Sequence, residues 1–189
     1  MSEESNIDIA ENTPDTAYFS ISLSKLRNMY LLTFGLYCIY WFYKHWRLQN
    51  IYSAPSVMPL ARGIFAIFFT HSLTHRIGQS MKNKNTQGSK NLSLFATAFV
   101  VLIILTNIFS KLAGSGNYPI YFDFIWIALL YLSVLPLIEI QDNVNALKGD
   151  PLGIYNSKYN WQHILIIILG AVLWIGLILG LTAEILGLL

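Results

Sequence analysis

Apolar residues in this chain come in runs, and charges gather at the junctions between the runs. The first run lies in LSKLRNMYLLTFGLYCIYWFYKHWRLQN, residues 23–50. Lys25 and Arg27 lead in, Met29 to Tyr43 carry no charge, and Lys44, His45 and Arg47 follow with Trp46 among them. Ser24 is placed to cap a helix over Lys25 to His45. The uncharged part of such a helix spans about 22 Å, short of a ~30 Å hydrocarbon core. A second short run, Gly63 to Leu73, lies between Arg62 and Arg76 and would span roughly 16 Å. It has no polar face before His71, so it inserts rather than lying flat. Three longer runs follow: Leu92 to Phe109, Ile120 to Ile140 with Asp123, Pro136 and Glu139 inside it, and Ile164 to Leu181. Each is long enough to cross a bilayer. The pattern predicts an all-α polytopic membrane protein with three transmembrane helices plus two short N-terminal membrane-inserted helices. Five full crossings are the alternative.

The polar stretches divide the rest. Residues 1–18 hold Glu3, Glu4, Asp8, Glu11 and Asp15 and no basic residue, which predicts a disordered acidic tail ahead of a single helical membrane domain over 19–189. Phe19, Ile21 and Leu23 alternate with serines over too short a stretch to define a strand. Residues 48–61, with Pro55 and Pro59, and the polar residues 78–91, with Lys82, Lys84 and Lys90, read as loops. So do the turn at Gly114 to Asn117 and the stretch from Gln141 to Gln162. Pro136 should kink its helix and free a carbonyl one turn earlier. No internal repeat is visible.

Composition agrees with the runs. The chain of 189 residues is 54% hydrophobic and only 12% charged, against about 25% charged in soluble domains. A net charge of +2 gives no reason to expect nucleic acid. The single cysteine, Cys38, lies inside an apolar run and reads as a small core residue. Lysine and arginine collect on the cytoplasmic side. If both short segments dip in and return, every Lys and Arg except Lys111 falls on that side. Five crossings would put Lys44, Arg47 and Arg62 outside with it. The re-entrant arrangement fits the charges better, and Gly35 offers the bend. Both arrangements put the N-terminus in the cytoplasm and the C-terminus outside.

Tyr30, Phe34, Tyr37 and Trp41 recur at helical spacing, which predicts an aromatic face near the headgroups. The runs Thr33-Phe34-Gly35-Leu36-Tyr37 and Tyr40-Trp41-Phe42-Tyr43-Lys44 resemble the signature T-[LF]-G-[IL]-Y, then Y-W-x-[YF]-K, of small uncharacterised bacterial inner-membrane domains. The resemblance covers residues 24–48. It implies a bacterial inner membrane and brings neither an activity nor site residues.

Groups with chemical potential are few. His71 and His75 share a helix face as a metal pair would, with no third ligand nearby. His45 and His163 sit at segment ends and read as interfacial. Glu139, Asp142 and Asn143 share one face at the end of the Ile120 run, a candidate ion, proton or headgroup site, and Gln141 and Asn145 form a second polar row. Gly176 and Gly180 form a GxxxG pair for helix packing, which Gly170 extends. No nucleophile arrangement, phosphate loop, dinucleotide fingerprint or other cofactor motif is present. The sequence favours a non-enzymatic integral membrane protein, an accessory or lipid-binding subunit. Its expected partners are membrane lipid and either a second copy or another protein. A small transporter or channel using Glu139 is the first alternative, and a membrane enzyme acting on lipid is the second.

Overall fold

The computed structural model describes residues 17–52, 57–88, 91–114 and 118–188, and among these it is all-helical, with no strand. The helices are α1 (Leu23–Leu32), α2 (Tyr37–Tyr52), α3 (Pro59–Ile64), α4 (Ala66–Asn83), α5 (Leu92–Ala113), α6 (Tyr121–Leu147) and α7 (Trp161–Ile185). One 3-10 turn, Ile154–Asn156, lies in the α6–α7 connection. Helices α5, α6 and α7 are long and apolar enough to cross a membrane. All three run past the apolar stretches that announced them. The reason is plain at α7, where Asn160 and His163 form a reciprocal capping box. His163 is a capping residue. The expectations for residues 1–16, Pro55, Lys90 and Ser115 to Asn117 lie outside the described residues.

The single helix expected over Lys25 to His45 is two helices folded into a hairpin. The chain turns at Thr33 to Leu36, where Phe34 and Gly35 take positive φ values of 51° and 85°. Glycine adopts that conformation freely, whereas Phe34 is held in it by its surroundings. Thr33 Oγ1 closes the turn, donating to the Met29 carbonyl at 2.7 Å and accepting from the Tyr37 amide at 2.9 Å. Ser22, not Ser24, caps α1, its hydroxyl accepting from the Lys25 amide. The hairpin's two open ends lie together. Lys25 Nζ donates to Asn156 Oδ1 and to the Lys158 carbonyl, both at 2.7 Å, and Gln49 near the end of α2 reaches Ala17. Its tip lies far from them. The Phe34 ring stacks on Trp126 of α6 and on Trp174 of α7, at centroid distances of 6.1 and 4.8 Å. Trp174 is roughly 20 Å along α7 from its start. The aromatic stripe faces protein rather than headgroups: Tyr30, Tyr37 and Trp41 are buried, and the hydroxyls of Tyr30 and Ser133 share a hydrogen bond of 2.7 Å.

Helices α3 and α4 repeat this course. The short run expected over Gly63 to Leu73 breaks at Phe65, between α3 and α4. Pro59 opens α3, where its missing N–H costs nothing. Gly63 lies so close to α2 that a Cβ there would sit 2.8 Å from the Ile39 carbonyl oxygen. Helix α4 continues to Asn83, well into the stretch expected to be a loop. Leu73, Ile77 and Met81, four residues apart, are buried along one side and carry it there. Tyr18 bonds Ser80 near its end at 2.9 Å. The α2 helix likewise runs to Tyr52, beyond its expected end.

Helices α5 and α6 form the main antiparallel pair, and α6 runs unbroken through the buried Pro136. Among the helices only α1 packs against α7. Gly170 provides the contact: a Cβ there would collide with the Leu32 carbonyl oxygen, and Trp174 Nε1 donates to Leu31 O at 3.1 Å. Gly176 and Gly180 meet nothing, since a Cβ at either would find no described atom within 4 Å. The expected packing groove is therefore unoccupied among the described residues, and the close approach is made at Gly170.

Candidate functional site

The densest polar assembly fastens the start of the described chain to the end of α6. Residues 19–22 run without regular structure, so their backbone groups need partners from elsewhere. Side chains supply them. Asn145 donates to the Ile21 carbonyl at 2.9 Å and accepts from the Ile21 amide at 3.4 Å. Gln141 donates to the Phe19 carbonyl at 3.0 Å and accepts from Trp41 Nε1 at 2.6 Å. Asn156 donates to the Ser20 carbonyl, and Lys148 to that of Tyr18. Asp150 accepts from Ser20 Oγ at 2.7 Å and from the amides of Ile154 and Tyr155. Burial pushes the Asp150 carboxyl up, but those hydrogen bonds and the Lys148 charge outweigh it and hold it below the usual carboxylate value. Ala17 and Tyr18, expected in the tail, belong to the core here.

His45 completes the seam. It is fully buried among Tyr18, Phe19 and Trp41, with Nδ1 accepting from the Phe19 amide at 3.4 Å and Nε2 unpartnered among the described residues. Burial drives its pKa down to about 3, with the Lys148 charge adding to the effect and Gln141 opposing it. His45 is thus a neutral core residue, where an interfacial one was expected.

The expected site residues fall in separate places, Glu139 and Asp142 three apart on α6 and His71 and His75 four apart on α4. Glu139 and Asp142 are exposed, whereas Asn143 is buried and turns its amide back to the Glu139 carbonyl at 2.7 Å. The same turn of helix sends Gln141 and Asn145 into the seam. His71 and His75 line an open groove between α4 and α5. His71 Nε2 shares a hydrogen bond with Thr97 Oγ1, and Gln79 donates to His75 Nε2, both at 3.0 Å. Among the described residues no group of three His, Cys, Asp or Glu side chains is gathered for a metal.

A second assembly lies where α2, α3 and α4 meet. Trp46 is fully buried, and two guanidinium groups pack on its ring: Arg62 with Cζ at 4.1 Å from the centroid and Arg76 at 5.4 Å. Arg62 also lies 4.8 Å from the Phe69 ring. Arg76 donates to Gln49 Oε1 at 3.3 Å, and Gln49 in turn donates to the Ala17 carbonyl at 3.0 Å. Around Arg62, the side chains of Leu60, Ile64, Phe65 and Phe68 are exposed. Nearby, Lys44 sits over the rings of Phe19 and Tyr40.

No protein-family model matches the chain, and no curated protein or solved structure matches it.

Proposed function

We propose that this is a non-enzymatic integral membrane protein of the bacterial inner membrane that works by binding membrane lipid through its two N-terminal helical hairpins. The observation that carries the reading is the apolar rim of the α3–α4 hairpin. Leu60, Ile64, Phe65 and Phe68 are exposed around the basic Arg62, and Phe68 is 77% exposed. A water-facing surface does not tolerate such a patch, and an acyl-chain layer does. The polar side chains of the core favour the same reading, because they are spent on holding the N-terminal segment rather than on lining an opening. In this arrangement both hairpins dip in from the cytoplasmic side and return, which leaves every Lys and Arg except Lys111 on that side.

Purified protein in a zwitterionic detergent tests the reading through its melting temperature. Added phosphatidylglycerol should raise it by several degrees relative to phosphatidylcholine, because a ligand that binds only the folded state stabilises it. Equal melting temperatures with the two lipids would remove lipid binding as the function. A periplasmic-only reporter should be active when fused after Leu189 and silent at Met1; the reverse result would overturn the topology.

A further inference from the structure

We infer that Arg62 and Arg76, stacked on Trp46, form a seat for one phosphate group of an anionic phospholipid. This inference rests on the lipid-binding reading and names the headgroup chemistry and the residues. Both guanidinium carbons lie near one indole ring, so they are no farther apart than the sum of 4.1 and 5.4 Å. Two positive charges at that range repel, and an anion between or beside them would relieve the repulsion. Among the described residues no carboxylate supplies that charge. Arg62 lies over the rings of Trp46 and Phe69, and Arg76 lies over Trp46 and donates one hydrogen bond to the neutral Gln49. Arg62 Nη1 is buried and has no hydrogen-bond partner among the described residues.

The chemistry of the side chain selects phosphate. A guanidinium that stacks by its face keeps its in-plane N–H groups for an oxyanion, and the fork matches two phosphate oxygens at once. The surroundings select a lipid as its source. The exposed Leu60, Ile64 and Phe68 belong to the two helices that carry Arg62 and Arg76, and the exposed Phe65 joins them, so the acyl chains of the same molecule meet apolar surface. The sequence alone showed Arg62 and Arg76 as the flanks of one apolar run; the break at Phe65 turns the flanks toward the same tryptophan.

Native mass spectrometry of the full-length protein in detergent, titrated with phosphatidylglycerol, phosphatidylcholine or inorganic phosphate, tests the site. The wild type should hold one phosphatidylglycerol in preference to phosphatidylcholine. Arg62→Gln and Arg76→Gln should each weaken it on the order of tenfold, as loss of a charge-assisted hydrogen bond does. Arg27→Gln, at an exposed position, should leave it unchanged. Undiminished binding in the double Gln variant would overturn the seat while leaving lipid binding intact, and equal losses in Arg27→Gln would reduce it to general surface attraction. A wild type with no preference among the lipids would overturn the broader reading instead. Inorganic phosphate bound as tightly as the lipid would overturn the lipid as its source. Should the Gln variants fail to fold, Arg62→Lys and Arg76→Lys keep the charge and lose the fork; binding unchanged in both would overturn the site.

Discussion

Helix α2 is aromatic and basic, α7 is uniformly apolar, and the fold uses them in opposite ways. In α2, Trp41, Phe42, His45 and Trp46 are fully buried, and polar groups from α6 and the N-terminal segment meet them. In α7 only Gly170 is buried, whereas α5 buries Leu92, Ala96, Phe99 and Thr106 and α6 buries more residues still. The three spans rank in reverse order by hydropathy, α7 being the most apolar and α6 the least. Apolarity here measures how much lipid a helix faces, and polarity measures how much protein it faces. A polar atom in hydrocarbon needs a partner, and only another part of the chain supplies one. The core of this protein therefore lies where its sequence is least hydrophobic among the spans, at the cytoplasmic half of α6 in the proposed topology.

The comparison breaks most readily at α6. Asn145→Leu should orphan the Ile21 amide and carbonyl and remove a partner from Gln141, costing about 3 kcal/mol. The check is a lowered melting temperature together with rapid proteolysis or hydrogen exchange near Tyr18. Full protection of that segment in the variant would show that the seam does not hold it.

Gly170→Leu comes next, with a loss of about 2 kcal/mol, because a side chain cannot fit against the Leu32 carbonyl and α7 has little else to rest on. Trp174 fluorescence should shift as its stack with Phe34 opens; an unchanged spectrum and melting temperature would contradict this contact.

Acidification separates the two helices more gently. The folded His45 has a pKa of about 3 against an ordinary 6.5, so between those values the unfolded chain binds the proton and the folded chain does not. Stability should therefore fall as pH drops below 6.5, with a slope approaching ~1.4 kcal/mol per pH unit. Asp150, held below its ordinary 3.8, adds a loss in the same direction only in more acid solution. His45→Asn should flatten the slope between pH 6 and about 4; an unchanged slope would assign it to other groups.

The smallest effect belongs to the lipid-facing end of α7. Gly176→Leu with Gly180→Leu should change stability by less than about 0.5 kcal/mol, because nothing among the described residues lies against either glycine. A larger loss accompanied by a change in oligomeric state would reveal a second copy on that face.

The spans were legible because a long apolar run has one meaning in a chain of this composition. The turn at Phe34 was half legible: Gly35 marked a bend, but hydropathy continues through it unbroken. The break at Phe65 carried no turn residue, and it depends on Gly63 meeting α2. The polar seam was visible only from one side. Gln141 and Asn145 stood out as a row, yet their partners at Phe19 to Ile21 looked like the edge of a tail. Asp150 and Arg76 drew no attention as site residues for the same reason, since each acquires its neighbours only when distant elements meet. Glu139 stood out because a carboxylate near hydrocarbon always does, and its exposure was not readable without knowing which face of α6 meets the core.

The seam has a consequence for how the molecule comes into being. Its hydrogen bonds from Tyr18–Ile21 to the chain from Gln141 onward join residues 122 to 136 positions apart, from Phe19–Gln141 to Ser20–Asn156. A ribosome adding about ten residues per second needs on the order of ten seconds to deliver the second partner after the first. Throughout that interval Tyr18, Ile21, Trp41 and His45 have no α6 to close against, so this segment stays open long after it is made, and its assembly has the slow, long-range character of high contact order.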